Sequence, residues 1–311
     1  IHKDLDANVL RETMRAGLRE FIAYPFEANA LRESIKHCEE ILKESPPDHH
    51  ATSNIYSFLP SKAGVGTSTI ALNISSAIAT KGDQRVMLAD FDLSSGMQRF
   101  LLKLNNTYSV MDAIEHSLDM DEALWPQLVT NMGNMDVLHS GRINPSLRIE
   151  GAQVRSLIQF MRRNYQVLCF DLSGNLERYS LELMQESKKI FVVVTPEIPS
   201  LHVAREKIAF LREMDLGDRV AVILNRAGKK PVFGVQQVQD ILGSPVVANL
   251  ANDYLGVNNA TSAGGPVEVG SELGKQFSKF ALGLIDKKIE DKPQAKKSFL
   301  DFLTPSAATS R

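Results

Sequence analysis

From Asn54 onward the chain alternates short, almost unbroken apolar runs with longer stretches of helical spacing, and no other feature narrows its fold as much. Ile55–Leu59, Arg85–Ala89, Met135–His139, Gln166–Phe170, Lys189–Thr195, Val220–Leu224 and Val246–Asn249 read as strands. Thr69–Thr80, Arg148–Asn164, Ser200–Met214, Val235–Leu242 and a stretch at 271–286 read as helices. A strand that is apolar on both faces needs cover on both faces. The pattern therefore predicts an α/β fold, with a mostly parallel sheet between two helical layers.

Composition trims the alternatives. Hydrophobic residues at 43% and charged residues at 23% exclude wholesale disorder. The 35 Lys+Arg against 37 Asp+Glu argue against coating nucleic acid by bulk charge. Two cysteines, Cys38 and Cys169, are too few for a disulfide scaffold and suit a reducing cytoplasm. No apolar run approaches the roughly 20 residues that span a bilayer. Met14, Met120, Met132 and Met135 are expected to pack in the interior rather than to hold a cofactor.

The chain is expected to divide into four parts: 1–45, a linker at 46–53, a main domain at 54–286, and a basic tail at 287–311. Asn8 to Gly17, Glu20 to Tyr24 and Glu27 to Leu42 read as helix, strand, helix. That piece is too short to bury a core of its own, and with Ile rather than Met at position 1 it is expected to be the end of a larger domain. The tail carries six basic and three acidic side chains.

Directly after the first strand comes Ser61-Lys-Ala-Gly-Val-Gly-Thr-Ser-Thr69, followed by a helix, which is the context of a phosphate-binding loop. Gly64 and Gly66 allow the tight turn that aims Ala63, Gly64, Val65, Gly66 and Thr67 backbone N–H groups at an anion. Ser68 and Thr69 open the helix, and Ser68 would set a hydroxyl beside Mg²⁺. A glycine-rich turn without a ligand is the alternative for the loop alone. Asp90-Phe-Asp92 ends the second strand, where carboxylates face the ligand crevice of a parallel sheet. An N-cap or loop role is the competing reading, more so for Asp90. Tyr165 to Asp171 is an apolar strand ended by an acid and followed by Leu-Ser-Gly174, an arrangement suited to holding Mg²⁺ and a switch loop. Asn225-Arg226 follows the run Val220–Leu224.

Together these motifs resemble the deviant Walker A loop and its partners in the MinD/ParA ATPase family, K-G-G-x-G-K-[ST]. Lys62, Gly64, Gly66, Ser68 and Thr69 match, whereas Ser61, Ala63 and Thr67 depart. The resemblance implies a P-loop NTPase fold that binds ATP and Mg²⁺ and forms a homodimer across the nucleotide. It implies catalytic roles for Lys62, which reaches the partner's phosphates, for Asp92, which orients water, and for Asp171. Metal contacts would come from Ser68, Asp171 and Asp92. Asn225, Arg226, Asn252 and Asp253 would lie by the adenine. Threonine at 67 replaces the loop's second lysine and brings no charge, so slow hydrolysis is expected.

Met14 to Glu27 is similar to the last helix–strand–helix of a response-regulator receiver, with Tyr24-Pro25 where receivers carry Lys-Pro. A degenerate receiver ahead of such an ATPase resembles the CpaE/TadZ branch, which serves Tad/Flp pilus assembly. Pilus or secretion assembly proteins are the implied partners, and the location is cytoplasmic or peripheral at the inner membrane or cell pole. The cluster at 296–303, with Phe299, Leu300, Phe302 and Leu303, is faintly similar to MinD's membrane-binding tail. A disordered tail or partner peptide is the favoured reading of it. A non-hydrolysing ATP-gated scaffold and a chromosome- or plasmid-partitioning ATPase are the competing functions, the latter disfavoured by the near-neutral charge. An iron–sulfur electron carrier is disfavoured by the cysteine positions, and a tyrosine kinase by a tail without Tyr.

Overall fold

The computed structural model describes residues 32–34, 36, 51–142, 148–228 and 232–285. Of the expected receiver-like segment only 32–34 and 36 are described, all helical. The expected strand at Glu20–Tyr24, Cys38 and the tail at 287–311 lie outside the described residues.

The strands are β1 (Ile55–Pro60), β2 (Val86–Phe91), β3 (Thr130–Met132), β4 (Met135–Leu138), β5 (Val167–Leu172), β6 (Lys189–Val194), β7 (Val220–Ala227) and β8 (Val246–Ala251). They form one sheet in the order β3-β4-β2-β5-β1-β6-β7-β8. Every pairing is parallel except the β3–β4 hairpin. Helices run α1 (Thr67–Lys81), α2 (Gln98–Leu101), α3 (Val110–Glu115), α4 (Trp125–Leu128), α5 (Gly151–Asn164), α6 (Arg178–Glu186), α7 (Ile198–Glu213), α8 (Val235–Leu242), α9 (Tyr254–Ala263) and α10 (Glu272–Ile285).

The period-2 alternation of the strands builds two cores. Ile55, Leu59, Met87, Phe91, Leu168, Phe170 and Val192 point to one face, where α5, α6, α7 and α8 cover them. Tyr56, Phe58, Leu88, Cys169, Phe191 and Val193 point to the other, beneath α1 and α10. There Phe191 packs at a tilt against Phe58 and edge-to-face against Phe280, each at 5.4 Å between ring centroids. Burial pushes the Cys169 thiol up to about 12, which marks it as a packing group in this core. Met120, Met132 and Met135 also pack on the cores.

At the start of β5 a chain of polar contacts closes the sheet's lower edge. Trp125 Nε1 donates to Tyr165 Oη at 2.7 Å, and Tyr165 Oη donates to Asp136 Oδ2 at 2.6 Å. The Arg85 guanidinium lies 5.2 Å above the Tyr165 ring.

Several boundaries differ from the sequence expectation. Helix α1 starts at Thr67, not Thr69, because Gly66 takes a left-handed turn with φ 92° and closes the loop early. Helix α5 starts at Gly151, not Arg148, behind Glu150 and a Gln153 side chain that accepts the Glu150 N–H. Strand β3 was not expected; it is three residues long and returns through a Gly133-Asn134 turn with Gly133 at φ 72°. Strand β7 runs on to Ala227, so Asn225 and Arg226 lie inside it, at an irregularity in the pairing with β8. Helices α6 and α9 were also not among the expected elements.

A nucleotide-type cleft at the carboxyl edge of the sheet

Strand β1 is central, and successive connections leave it toward both sides, so the crevice beyond its carboxyl end is where such a sheet holds a ligand. A cavity of about 680 Å³ lies there, lined by 60–69, Asp92, Ser173-Gly174, Lys207 and Arg226 among others. Its floor is the loop 61–66. Gly64 and Gly66 have φ of 82° and 92°, a region costly for a side chain. Val65, 1% exposed, anchors the loop in the core. Asn225 Nδ2 donates to Val65 O at 2.8 Å from the side. No side chain caps the N-terminus of α1, so its first N–H groups and its positive end are open to an anion.

The carboxylates follow from strand geometry. Asp90 and Asp171 are register partners on β2 and β5, so alternation sends both to the α1 face. Asp90 is fully buried, and its two oxygens accept the Gln98 and Asp92 backbone N–H groups at 3.0 and 3.1 Å. Its burial excludes the alternative of a solvated loop for Asp90. Asp171 is 1% exposed; its Oδ2 accepts Gln98 Nε2 at 2.9 Å, and its Oδ1 is buried without a partner. The nearby Ser68 hydroxyl and the Gln98 amide both favour the charged carboxylate, but burial outweighs them and pushes the group up to about 7. Burial and the neighbouring Asp171 raise Asp90 well above the carboxylate range.

Those donors fit Mg²⁺. A hydroxyl and an ionisable carboxyl with an orphaned oxygen are hard ligands, and phosphate oxygens normally complete such a shell. Among the described residues no cluster of three or more His, Cys, Asp or Glu stands ready to hold a metal alone, so the ion would need the nucleotide. Asp92, the third expected ligand, is placed differently. Its Oδ1 accepts Ser94 N, Ser94 Oγ and Ser95 N at 3.2, 2.9 and 2.8 Å, which shapes the loop after β2. Asp92 borders the cavity.

The remaining residues spread around this cleft. Thr67 is buried, and its Oγ1 has no partner. Lys62 leans outward to Glu197 at 3.5 Å, with the two side chains 36% and 55% exposed. Such an exposed pair contributes only about 0–1 kcal/mol and is easily broken. Thr69, Asn225, Arg226, Asn252 and Asp253 border a smaller cavity of about 70 Å³ beside the loop. Within it the Asp253 carboxylate is used as the α9 cap, accepting Gly256 N at 2.8 Å. Arg226 is exposed, with a left-handed φ of 55° that the β7 irregularity imposes.

Two residues here were not singled out from sequence. Gln98 bridges Asp171, Asp90 and the Ser68 carbonyl. Lys207 of α7 reaches the opposite wall of the cleft. Both sit in helices, where only a non-local contact reveals their task.

No protein-family model matches the chain. A putative septum site-determining protein MinD of Emiliania huxleyi is 28% identical over 222 residues, 69% of this chain and 80% of that protein. A ParA family ATPase of Chlorobium tepidum superposes with a TM-score of 0.68 at 21% identity, covering 74% of this chain and 99% of that one. The MinD of Pyrococcus horikoshii complexed with Mg-ADP superposes with a TM-score of 0.63 at 20% identity, covering 75% and 96%. By sequence the chain is similar to MinD proteins, and its fold is that of the MinD and ParA ATPase structures.

Proposed function

We propose that the protein is a nucleotide-gated dimer that binds ATP·Mg²⁺, hydrolyses it slowly, and serves the positioning or assembly of Tad/Flp pilus machinery. The observation that carries the nucleotide part is the uncapped start of α1 behind a two-glycine turn, facing a buried Asp171 oxygen that has no partner. That pairing supplies donors for phosphate and a ligand for its counter-ion at one place.

The side chains then divide the work. Backbone N–H groups of 63–68 hold the β- and γ-phosphates, and Asn225 keeps the loop in shape through Val65. Ser68 and Asp171 would hold Mg²⁺, which neutralises phosphate charge when bound. With Asp92 Oδ1 engaged in its own turn, Oδ2 is left to orient water. Arg226 and Asn252 stand where a base would emerge. Lys62 leaves Glu197 at little cost and reaches a second copy's nucleotide. Because Thr67 adds no charge to the transition state, binding outlasts turnover, which also favours an ATP-gated scaffold as the second reading.

The pilus assignment rests on the resemblance of the receiver-like start joined to this ATPase type. Light scattering of the full chain with ATP·Mg²⁺, ADP·Mg²⁺ or no nucleotide tests the core of the proposal. An ATP-specific dimer that Lys62→Ala abolishes is expected. A mass that ignores nucleotide refutes the gating, and a Lys62→Ala variant that dimerises normally refutes the role of Lys62.

A further inference from the structure

The phosphate cleft has lost one loop cation and turned the other outward, yet it is not without positive charge. Lys207 enters from α7, a wall that supplies none of the loop's own residues. Its Nζ donates to Pro60 O at 2.8 Å, at the last residue of β1 and directly before the loop. Gly174, in the expected switch loop after Asp171, lies against the same group: a Cβ there would fall 3.0 Å from Lys207 Nζ. The ammonium therefore sits between the start of the phosphate loop and the loop that follows Asp171.

Lys207 is half-buried, and the protein satisfies it only in part. An ammonium has three N–H donors, and Pro60 O uses one. Among the described residues no carboxylate lies within ion-pair distance of it; Glu177, whose charge it feels, instead accepts from Ser173, Asn175 and Ser180. Burial pushes the group down to about 8, so its charge is held at a cost that a phosphate would offset.

We propose that Lys207 contacts the terminal phosphate of a bound nucleoside triphosphate, supplying from α7 the cation that Thr67 cannot supply from the loop. This rests on the nucleotide reading above and adds a residue that distinguishes ATP from ADP. The diphosphate lacks the group nearest to Gly174, so it gains little from Lys207.

Calorimetric titration of the full chain with ATP·Mg²⁺ and ADP·Mg²⁺ tests it, using wild type, Lys207→Gln and Lys207→Arg. Glutamine keeps a donor for Pro60 O and removes the charge; arginine keeps the charge. Lys207→Gln is expected to weaken ATP about tenfold or more and ADP less than about twofold, with Lys207→Arg recovering part of the ATP affinity. Equal losses for both nucleotides, or no loss for either, with wild type binding both, overturn the Lys207 assignment alone. Wild type that binds neither nucleotide overturns the phosphate-loop reading and this assignment with it. Thermal melting within a few degrees of wild type confirms that the variants fold.

Discussion

Asp171→Asn is expected to stabilise the nucleotide-free protein while weakening its response to ATP·Mg²⁺, and the size of the effect follows from the burial of the carboxyl. An unfolded Asp loses its proton near 3.8, whereas the folded chain holds it to about 7. Below both values the two states are protonated and nothing is lost. Between them the folded state alone keeps the proton, so stability falls as pH rises, by about 1.4 kcal/mol per unit. By pH 7 and above the accumulated cost is about 4 kcal/mol. Asparagine does not titrate and pays none of it, while Asn Oδ1 can still accept from Gln98 Nε2. The advantage of the variant over wild type is therefore expected to be about 1–2 kcal/mol at pH 5 and about 4 kcal/mol at pH 8. With a urea m-value near 3 kcal/mol per molar for a domain of this size, that is a midpoint shift of about 1 M at the higher pH. Urea unfolding in EDTA, followed by the single tryptophan, Trp125, measures it. In saturating ATP·Mg²⁺ wild type should gain about 3 kcal/mol at a hundredfold excess over Kd, and the variant much less. A variant no more stable than wild type at pH 8, or an advantage that does not change with pH, refutes the reasoning.

Three further outcomes are expected. Thr67→Lys restores charge to the loop and should raise the rate of phosphate release about tenfold to a hundredfold; an unchanged rate in a phosphate assay shows that Thr67 does not limit turnover. Gly66→Ala forces a side chain into φ 92° and sets its Cβ 2.6 Å from Asn225 Nδ2, so calorimetry should show ATP binding at least about tenfold weaker, and wild-type affinity would contradict the loop geometry. Tyr165→Phe leaves Trp125 Nε1 unpaired and Asp136 Oδ2 with only its 3.7 Å ion pair to Arg85, at the far end of β5, and should cost about 1–3 kcal/mol in urea unfolding with ATP affinity retained; a stable variant, or one that loses ATP, argues against a purely structural network.

The strands that carry the site were readable from sequence because each is apolar on both faces, a local pattern that only a sheet between helical layers satisfies. The loop geometry was readable because two glycines between a strand and a helix leave few alternatives for the backbone. Residue order alone also put Asp92 and Asp171 at strand ends. What sequence did not contain was the depth of Asp90, which depends on its register with Asp171 and on Gln98 closing over both. Strand β3 was too short to show a period, and the extension of β7 past Asn225 depends on its pairing with β8. Lys207 looked like any polar position on an amphipathic helix until α7 packed beside Pro60 and Gly174. Local chemistry thus determined the fold class, the loop and most of the candidate ligands. Which charges line the cleft, and which carboxyls are buried, was decided by contacts between residues far apart in the chain, because burial and Coulomb energy depend on distance in space.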